Sequence, residues 1–389
     1  MKFSVLLPTR NGAPYLRETI ASVLSQPYQD MELVVSDNAS NEETQAIITS
    51  FAGDPRLTAI RHEHVLPVTD NWNRALEASR GDYLVMIGDD DCLMPGFFDT
   101  LEAAIDRHGG PDCITYNGFS FVFPDSVDGH LNAYFAPSHF RFGVDFHTDH
   151  PLTATMRYAL VRDMFAFRVR FPLNMQLTLF SRRLAGRIPE GPFRAPFPDH
   201  YALMSLLLIS DTFVYLDARL VVVGVSPKSF GHFYYSGQTA DGARYLGLVP
   251  VDDDRLPGSE LLNCMREWLG LVKAAFPSRL GSVRISRWNY VGRQVRHWTR
   301  EFEFGRLTLG ELLRRSTLVS WSERFTFVAP MLAYRAVLRS LRAVGLRRGT
   351  LFADMWPALR PLPDVRSMEQ FVSWIATAAG AEHPRRPLP

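Results

Sequence analysis

Along the first 125 residues, short apolar runs alternate with stretches in which apolar positions recur every three or four residues. The runs 3–8, 32–36, 57–61 and 82–87 are rich in Val, Leu and Ile and stop at polar residues or proline, as buried strands do. Between them, 14–25, 42–51 and 71–79 carry a helical period, with Leu16, Ile20, Val23 and Leu24 on one face of the first. Ser40 and Glu43 stand at capping-box spacing at the start of the second helix. Strand and helix alternating in this way predict an α/β fold with a mostly parallel, doubly wound sheet. Ligands of such sheets bind beyond the carboxyl ends of the strands, which singles out the loops 9–13, 37–41, 62–70 and 88–94.

From about residue 110 to 235 the pattern is mixed. Strand-like runs at 113–116, 119–123, 175–180, 213–216 and 220–225 interrupt helical ones at 152–165 and 200–209, among many aromatic residues and prolines. The stretch 236–258 is rich in Gly and Asp and contains two prolines, as a boundary loop would. Helical periodicity then continues through 260–276, 285–301, 308–318 and 323–344, and Thr308 with Glu311 repeats the capping-box spacing.

Composition adds that hydrophobic residues make up 46% and charged residues 21% of 389, ordinary for a soluble protein with a full core. Three scattered cysteines, Cys92, Cys113 and Cys264, build neither a disulfide framework nor a zinc site and fit a reducing, cytoplasmic setting. The apolar run at 3–7 ends at Pro8 and is too short for a signal core. No stretch approaches the roughly 18 apolar residues of a membrane span.

Charge changes the picture more. The net charge of +1 conceals eight Lys and Arg against nineteen Asp and Glu in 1–125, and fifteen Arg against four Glu in 278–348. An acidic site that recruits a divalent cation and a basic tail that meets an anionic surface would account for this, as would opposite charges solvating different faces. Arg335, Arg339 and Arg342 fall on one helical face at i, i+4 and i+7, with Val328, Met331, Leu332, Leu338 and Leu341 on another. That resembles an interfacial helix on an anionic membrane, and many surface helices share the pattern. The aromatic interleaving of a nucleic-acid platform is missing, which argues against a nucleic-acid partner.

The candidate chemistry centres on Asp89, Asp90 and Asp91, directly after an apolar run. Three adjacent carboxylates repel one another, and a hard cation such as Mg²⁺ or Mn²⁺ neutralises them while keeping positions for substrate phosphates. The alternative is a polar turn before a helix that Pro95 opens. Cys92 has no base beside it and reads as a small core residue.

Four segments in order carry a resemblance. Ser4-Val5-Leu6-Leu7-Pro8-Thr9-Arg10-Asn11, Glu32-Leu33-Val34-Val35-Ser36-Asp37-Asn38-Ala39-Ser40, Asn71-Trp72-Asn73-Arg74-Ala75-Leu76 with Gly81-Asp82-Tyr83, and Gly88-Asp89-Asp90-Asp91-Cys92-Leu93-Met94-Pro95-Gly96 are similar to the donor half of the inverting glycosyltransferase family 2. The resemblance covers residues 3–123. It implies the glycosyltransferase-A fold over 1–235, with a nucleotide-sugar half at 1–125 and an acceptor half at 126–235, followed by a helical region at 259–380. Pro8, Thr9, Arg10 and Asn11 would form the nucleotide loop, and Asp37 would accept a hydrogen bond from the base. Arg74 would reach a donor phosphate. Counting back from Pro95, Asp90 takes the metal-ligand place and Asp89 the place beside the ribose, with Asp91 as a supporting anion. Gly88 stands where many members carry the first Asp. His232 lies beyond the last strand, where some relatives place a metal- or phosphate-contacting loop; a structural histidine fits that position equally.

The resemblance also implies that Asp199, opening a helix on the acceptor side, is the base that takes the acceptor proton; the alternative is a helix cap. The implied activity is transfer of a sugar from a nucleotide-sugar donor, UDP being the commonest donor nucleotide in the family, to a carbohydrate or lipid-linked acceptor. Two other readings stay open. A nucleotidyltransferase would also use paired carboxylates and Mg²⁺, but the loop 9–13 has one glycine where such enzymes are Gly-rich. A non-catalytic scaffold would be expected to lose the acidic cluster.

Overall fold

The apolar runs of the first half become strands because they are buried on both faces. Phe3–Thr9 (β1) and Met31–Asp37 (β2) are inward along almost their whole length, Leu57–Arg61 (β3) is half-exposed, and Tyr83–Met86 (β4) is again buried. Ala13–Leu24 (α1), Glu42–Ser50 (α2) and Val68–Ala78 (α3) connect them, with Leu16, Ile20, Val23 and Leu24 of α1 all buried as their spacing predicts. The computed structural model describes residues 2–124, 126, 132–138, 148–229, 255–346 and 359–381.

Two local expectations change. Asn41, not Ser40, caps α2: it has extended dihedrals (φ −67°, ψ 167°) and accepts the Thr44 N–H at 3.1 Å. Ser40 Oγ instead accepts the Asn11 N–H at 2.9 Å and joins two loops. The helix after the acidic cluster, Phe97–Arg107 (α4), begins behind Gly96 in a left-handed turn (φ 79°), so Pro95 lies outside it.

The sheet orders these strands β3-β2-β1-β4, all parallel. The chain moves outward from β1 through β2 to β3 and returns on the other side of β1. The carboxyl ends of β1 and β4 therefore flank the point where strand order reverses, the place where a crevice opens.

The second half is woven into the same sheet. Two pairs of expected strands are each continuous, Cys113–Val122 (β6) and Phe213–Val225 (β10). In β10 the polar Asp217 to Arg219 mark a register irregularity within one strand rather than a loop. Cys92–Leu93 (β5), Ala133–Ser138 (β7) and His150–Pro151 (β8) are shorter pieces. A 3-10 turn, Met175–Leu177, leads into Thr178–Ser181 (β9), which runs antiparallel between β4 and β6. Inserting one reversed strand makes β6, and β10 parallel to it, run in the direction of β4. The ends of β1, β4, β6 and β10 consequently share one edge. Ala154–Phe165 (α5), Arg182–Ala185 (α6) and Pro198–Ile209 (α7) cover this half.

Beyond residue 255 come Glu260–Ala275 (α8), Pro277–Leu280 (α9), Arg287–Glu303 (α10), Leu309–Ser316 (α11), Trp321–Glu323 (α12) and Ala329–Ala343 (α13), the last two joined by a π turn at Arg324–Val328. Thr308 caps α11 as predicted, accepting the Glu311 N–H at 3.2 Å. The region 259–380 is not wholly helical. Arg360–Leu362 (β11) pairs antiparallel with β7, and Met368–Ala381 (α14) packs Phe371 against Phe121 and Phe135 of the sheet. No described helix is long and apolar enough to cross a membrane.

The arginine face of α13 turns inward, not toward lipid. Arg335 and Arg342 both pair with Glu303 at the end of α10, whose carboxylate is fully buried. Arg339 donates to the Phe302 carbonyl at 3.1 Å and covers the Phe302 ring, and Arg342 covers Phe304. A buried acid draws cations to itself because an unpaired charge there is so costly. Glu303→Ala should therefore destabilise the fold by about 3–5 kcal/mol, measured by urea unfolding, because it strands two arginines. A loss under about 1 kcal/mol would mean those arginines find water instead.

Candidate active site

The loops after β1 and β4 are bonded to each other. Thr9 Oγ1 donates to Asp89 Oδ2 at 2.6 Å, the Arg10 N–H donates to the same carboxylate, and Thr19 Oγ1 of α1 donates to the Asp89 carbonyl at 2.9 Å. Gly12 is obligatory here, because a Cβ would lie 2.3 Å from Asp89 Oδ2. Asp90 bridges to the end of β10, accepting from Ser226 Oγ at 2.7 Å. Close approach again needs glycine: a Cβ on Gly224 would lie 1.9 Å from the Asp90 carbonyl oxygen. Asp91 accepts the Gly88 N–H at 2.6 Å, the Gly224 N–H at 2.9 Å and Gln176 Nε2 at 2.9 Å. The three carboxylates thus point to three different partners.

Their shared burial sets the electrostatics. Desolvation raises the Asp89 carboxyl above the usual carboxylate range, offset by the Thr9 hydroxyl and by the Lys228 ammonium. Asp90 is driven well above it, by burial first and then by the Asp91 and Asp89 charges. Burial pushes Asp91 up to about 6 despite its backbone donors. Asp90 has no basic side chain as a partner in this network, and Mg²⁺ commonly binds through one or two carboxylates plus substrate phosphates. This donor set fits a hard divalent cation at Asp90 with Asp89 beside it. Asp91, expected as a supporting anion, is instead fixed to the scaffold by three donors, and among the described residues no three His, Cys, Asp or Glu converge as a metal cluster.

The remaining expected residues divide. Pro8 is half-buried at the end of β1, Arg10 is exposed, and Asn11 adopts a left-handed φ of 53° from which Oδ1 accepts the Asn41 N–H at 2.9 Å. Asp37 is buried at the end of β2 and holds its loop, accepting the Ser40 N–H at 3.0 Å and Arg61 at 2.9 Å. Arg74 does not join the acidic loop; it pairs at 2.9 Å with Glu77 on the exposed face of α3. The cation that the structure brings there is Lys228, whose ammonium donates to the Asn11 carbonyl and faces Asp89. His232 lies outside the described residues.

Asp199 occupies the first turn of α7, after Pro198, and Phe197 holds the cap position. It is therefore not the cap. A helix leading into a parallel strand starts at that strand's carboxyl edge, so α7, which precedes β10, opens Asp199 at the edge that carries the acidic loop. Its carboxylate accepts the His200 N–H at 2.9 Å, and burial lifts it to about 7. Its side chain keeps 21% of its exposure. Burial also holds His200 neutral, at about 3, stacked on Phe197 (4.6 Å) and edge-on to Trp268 of α8 (5.4 Å).

Sequence reading missed several residues here. Ser226, Lys228 and Gln176 are remote in sequence from the acidic triplet, and no local pattern announces them. Tyr15 is another. Its phenol is raised by burial and by the nearby Asp90 and Asp89, and its ring packs on Phe123 (4.4 Å), which leads through Phe121 (4.9 Å) to Phe371 of α14 (4.9 Å). The helix α14 thereby packs through to the first turn of α1.

Residues 4–163 match the model of Glycosyl transferase family 2. The GalNAc(5)-diNAcBac-PP-undecaprenol beta-1,3-glucosyltransferase of Campylobacter jejuni is 29% identical over 102 residues, 26% of this chain and 33% of that protein. Glycosyltransferase GlyG of Streptococcus pneumoniae is 24% identical over 132 residues, 34% of this chain and 42% of its own length. The chain spans less than half the length of either relative. Among solved structures, residues 1–349 of S. aureus TarS align with a TM-score of 0.46 and 16% identity, covering 89% of this chain and 92% of that one. The mixed α/β sheet flanked by helices, with a helical C-terminal part, is the expected α/β architecture.

The Asp199 value gives a stability test. Its native carboxyl sits at about 7 against an ordinary 3.8, so the folded state holds the extra proton. Its stabilising contribution is present near pH 4 and lost as pH rises towards 7. Asp199→Asn, which mimics the neutral form, should flatten the fall in Tm across that window. An unchanged slope would place the titration elsewhere.

Proposed function

We propose that the chain is an inverting glycosyltransferase that moves a sugar from a nucleotide-diphosphate sugar, UDP-linked by preference, to an acceptor hydroxyl. The observation that carries this reading is the Thr9–Asp89 hydrogen bond, which fuses the β1 and β4 loops into one crevice at the switch point of the sheet. A nucleobase enters beside Pro8 and Asp37, whose oxygens keep second lone pairs for a base N–H. The diphosphate lies toward Asp90, with Lys228 as a fixed countercharge. Mg²⁺ or Mn²⁺ held by Asp90, with Asp89 beside it, would supply Lewis-acid stabilisation of the departing diphosphate. A nucleotidyltransferase needs an open glycine loop after β1, and here the Asp89 carboxylate fills the space above Gly12.

Asp199 is the proposed base. It accepts the hydroxyl proton while the acceptor oxygen bonds to the anomeric carbon and the bond to the diphosphate breaks, through an oxocarbenium-like transition state. A carboxylate lifted to about 7 is matched to that proton transfer near neutral pH. The Campylobacter relative's name carries a diphosphate-undecaprenol acceptor, which supports a lipid-linked acceptor here. We place the reaction on the cytoplasmic side of a membrane, in keeping with three free, buried cysteines.

Asp199→Asn should leave donor affinity intact and lower kcat by roughly 10²–10⁴-fold. The wild-type rate should rise with pH through about 7 as the base ionises. Full activity in the variant excludes the role. Asp90→Ala should abolish the Mn²⁺-dependent part of UDP binding in calorimetry, and unchanged binding would remove Asp90 from the metal.

A further inference from the structure

With the arginines of α13 turned inward, its opposite face is left to solvent, and that face is apolar. Trp321 and Phe325 are each 71% exposed, Tyr334 60%, Val337 59% and Val344 67%. The five-residue π turn brings Phe325 beside Trp321, their rings stacked at 6.2 Å and 29°. Tyr334, Val337 and Val344 continue the stripe at helical spacing. Exposed aromatic rings in a row are uncommon on a soluble surface and mark an interaction site.

The charge around the stripe identifies the partner. Apart from the inward-facing Arg335, Arg339 and Arg342, residues 312–346 carry Arg314, Arg315 and Arg324 and one acid, Glu323. That acid is buried and taken up by the Ser320 N–H (2.8 Å) and Arg287 (3.4 Å), so it adds no exposed carboxylate to the face. The Arg324 guanidinium lies 4.9 Å from the Trp321 ring centre, which sets positive charge at the edge of the apolar stripe. Arg314 extends nearby in sequence and is highly exposed.

We propose that the outward face of α12 and α13, led by Trp321 and Phe325, docks on an anionic membrane surface. Aromatic residues settle at the boundary of headgroup and acyl chain while arginines meet anionic headgroups. A second copy of the chain fits less well, because a twofold interface lays this basic rim against itself. The proposal takes its purpose from the lipid-linked acceptor reading but draws its evidence from the surface alone.

The test is flotation of the full chain with acceptor-free vesicles of phosphatidylcholine, with and without phosphatidylglycerol. Binding should require the anionic lipid and weaken with salt. Trp321→Ser with Phe325→Ser should lower the bound fraction by roughly tenfold or more, at unchanged Tm. Equal binding to neutral vesicles, no binding, or undiminished binding by the variant each overturns the proposal. So does sedimentation showing a wild-type dimer that the variant dissolves. Failure of the acceptor reading is a separate result: no transfer to a detergent-solubilised polyprenyl-diphosphate glycan, with anionic vesicles still bound.

Discussion

Three consecutive carboxylates in a nearly dry crevice cannot all stay ionised without help, and much of this fold consists of that help. Asp91 receives two backbone N–H groups and a glutamine amide from three separate elements, the β4 end, β10 and the 3-10 turn before β9. The same contacts that satisfy a buried acid tie the two halves of the sheet together. Asp89 is met by Thr9 and Arg10, which closes the loop after β1 on the acidic one. Asp90, raised by burial and by both neighbours, is the site where a cation gives most relief.

Glycine spacing follows from this arrangement. Gly12 and Gly224 lie where carboxylate or carbonyl oxygens pass closer than any side chain allows. Gly88 is crowded in the same way, since an added Cβ would lie 3.1 Å from both Asp90 Oδ1 and Asp91 Oδ2.

The second electrostatic centre, Glu303, decides the character of the C-terminal region. One buried acid gathers Arg335 and Arg342 and orients α13. Its outward face is consequently aromatic and aliphatic, the reverse of what the arginine spacing implies on its own. The chain end then returns to the sheet through β11 and α14, and an aromatic series runs from Phe371 to Tyr15 beside the acidic loop.

The first half of the fold was legible because its signals are local: apolar runs, helical periods and loop residues within a few positions of one another. These set β1 to β4, the helices between them and the edge where Thr9, Asp37 and Asp89–Asp91 collect. Periodicity says which residues share a helix face but not which face meets protein, so the Arg335 stripe was read outward. Partners far along the chain, such as Ser226 for Asp90, Gln176 and Gly224 for Asp91 and, 32 and 39 residues on, Arg335 and Arg342 for Glu303, leave no trace in local spacing. The polar break at Asp217 looked like a loop because an irregular strand and a turn share the same residues. The sequence alone determined that an acidic loop closes a parallel sheet. The tertiary structure decided which partner each carboxylate has, since that depends on which distant donors reach each one.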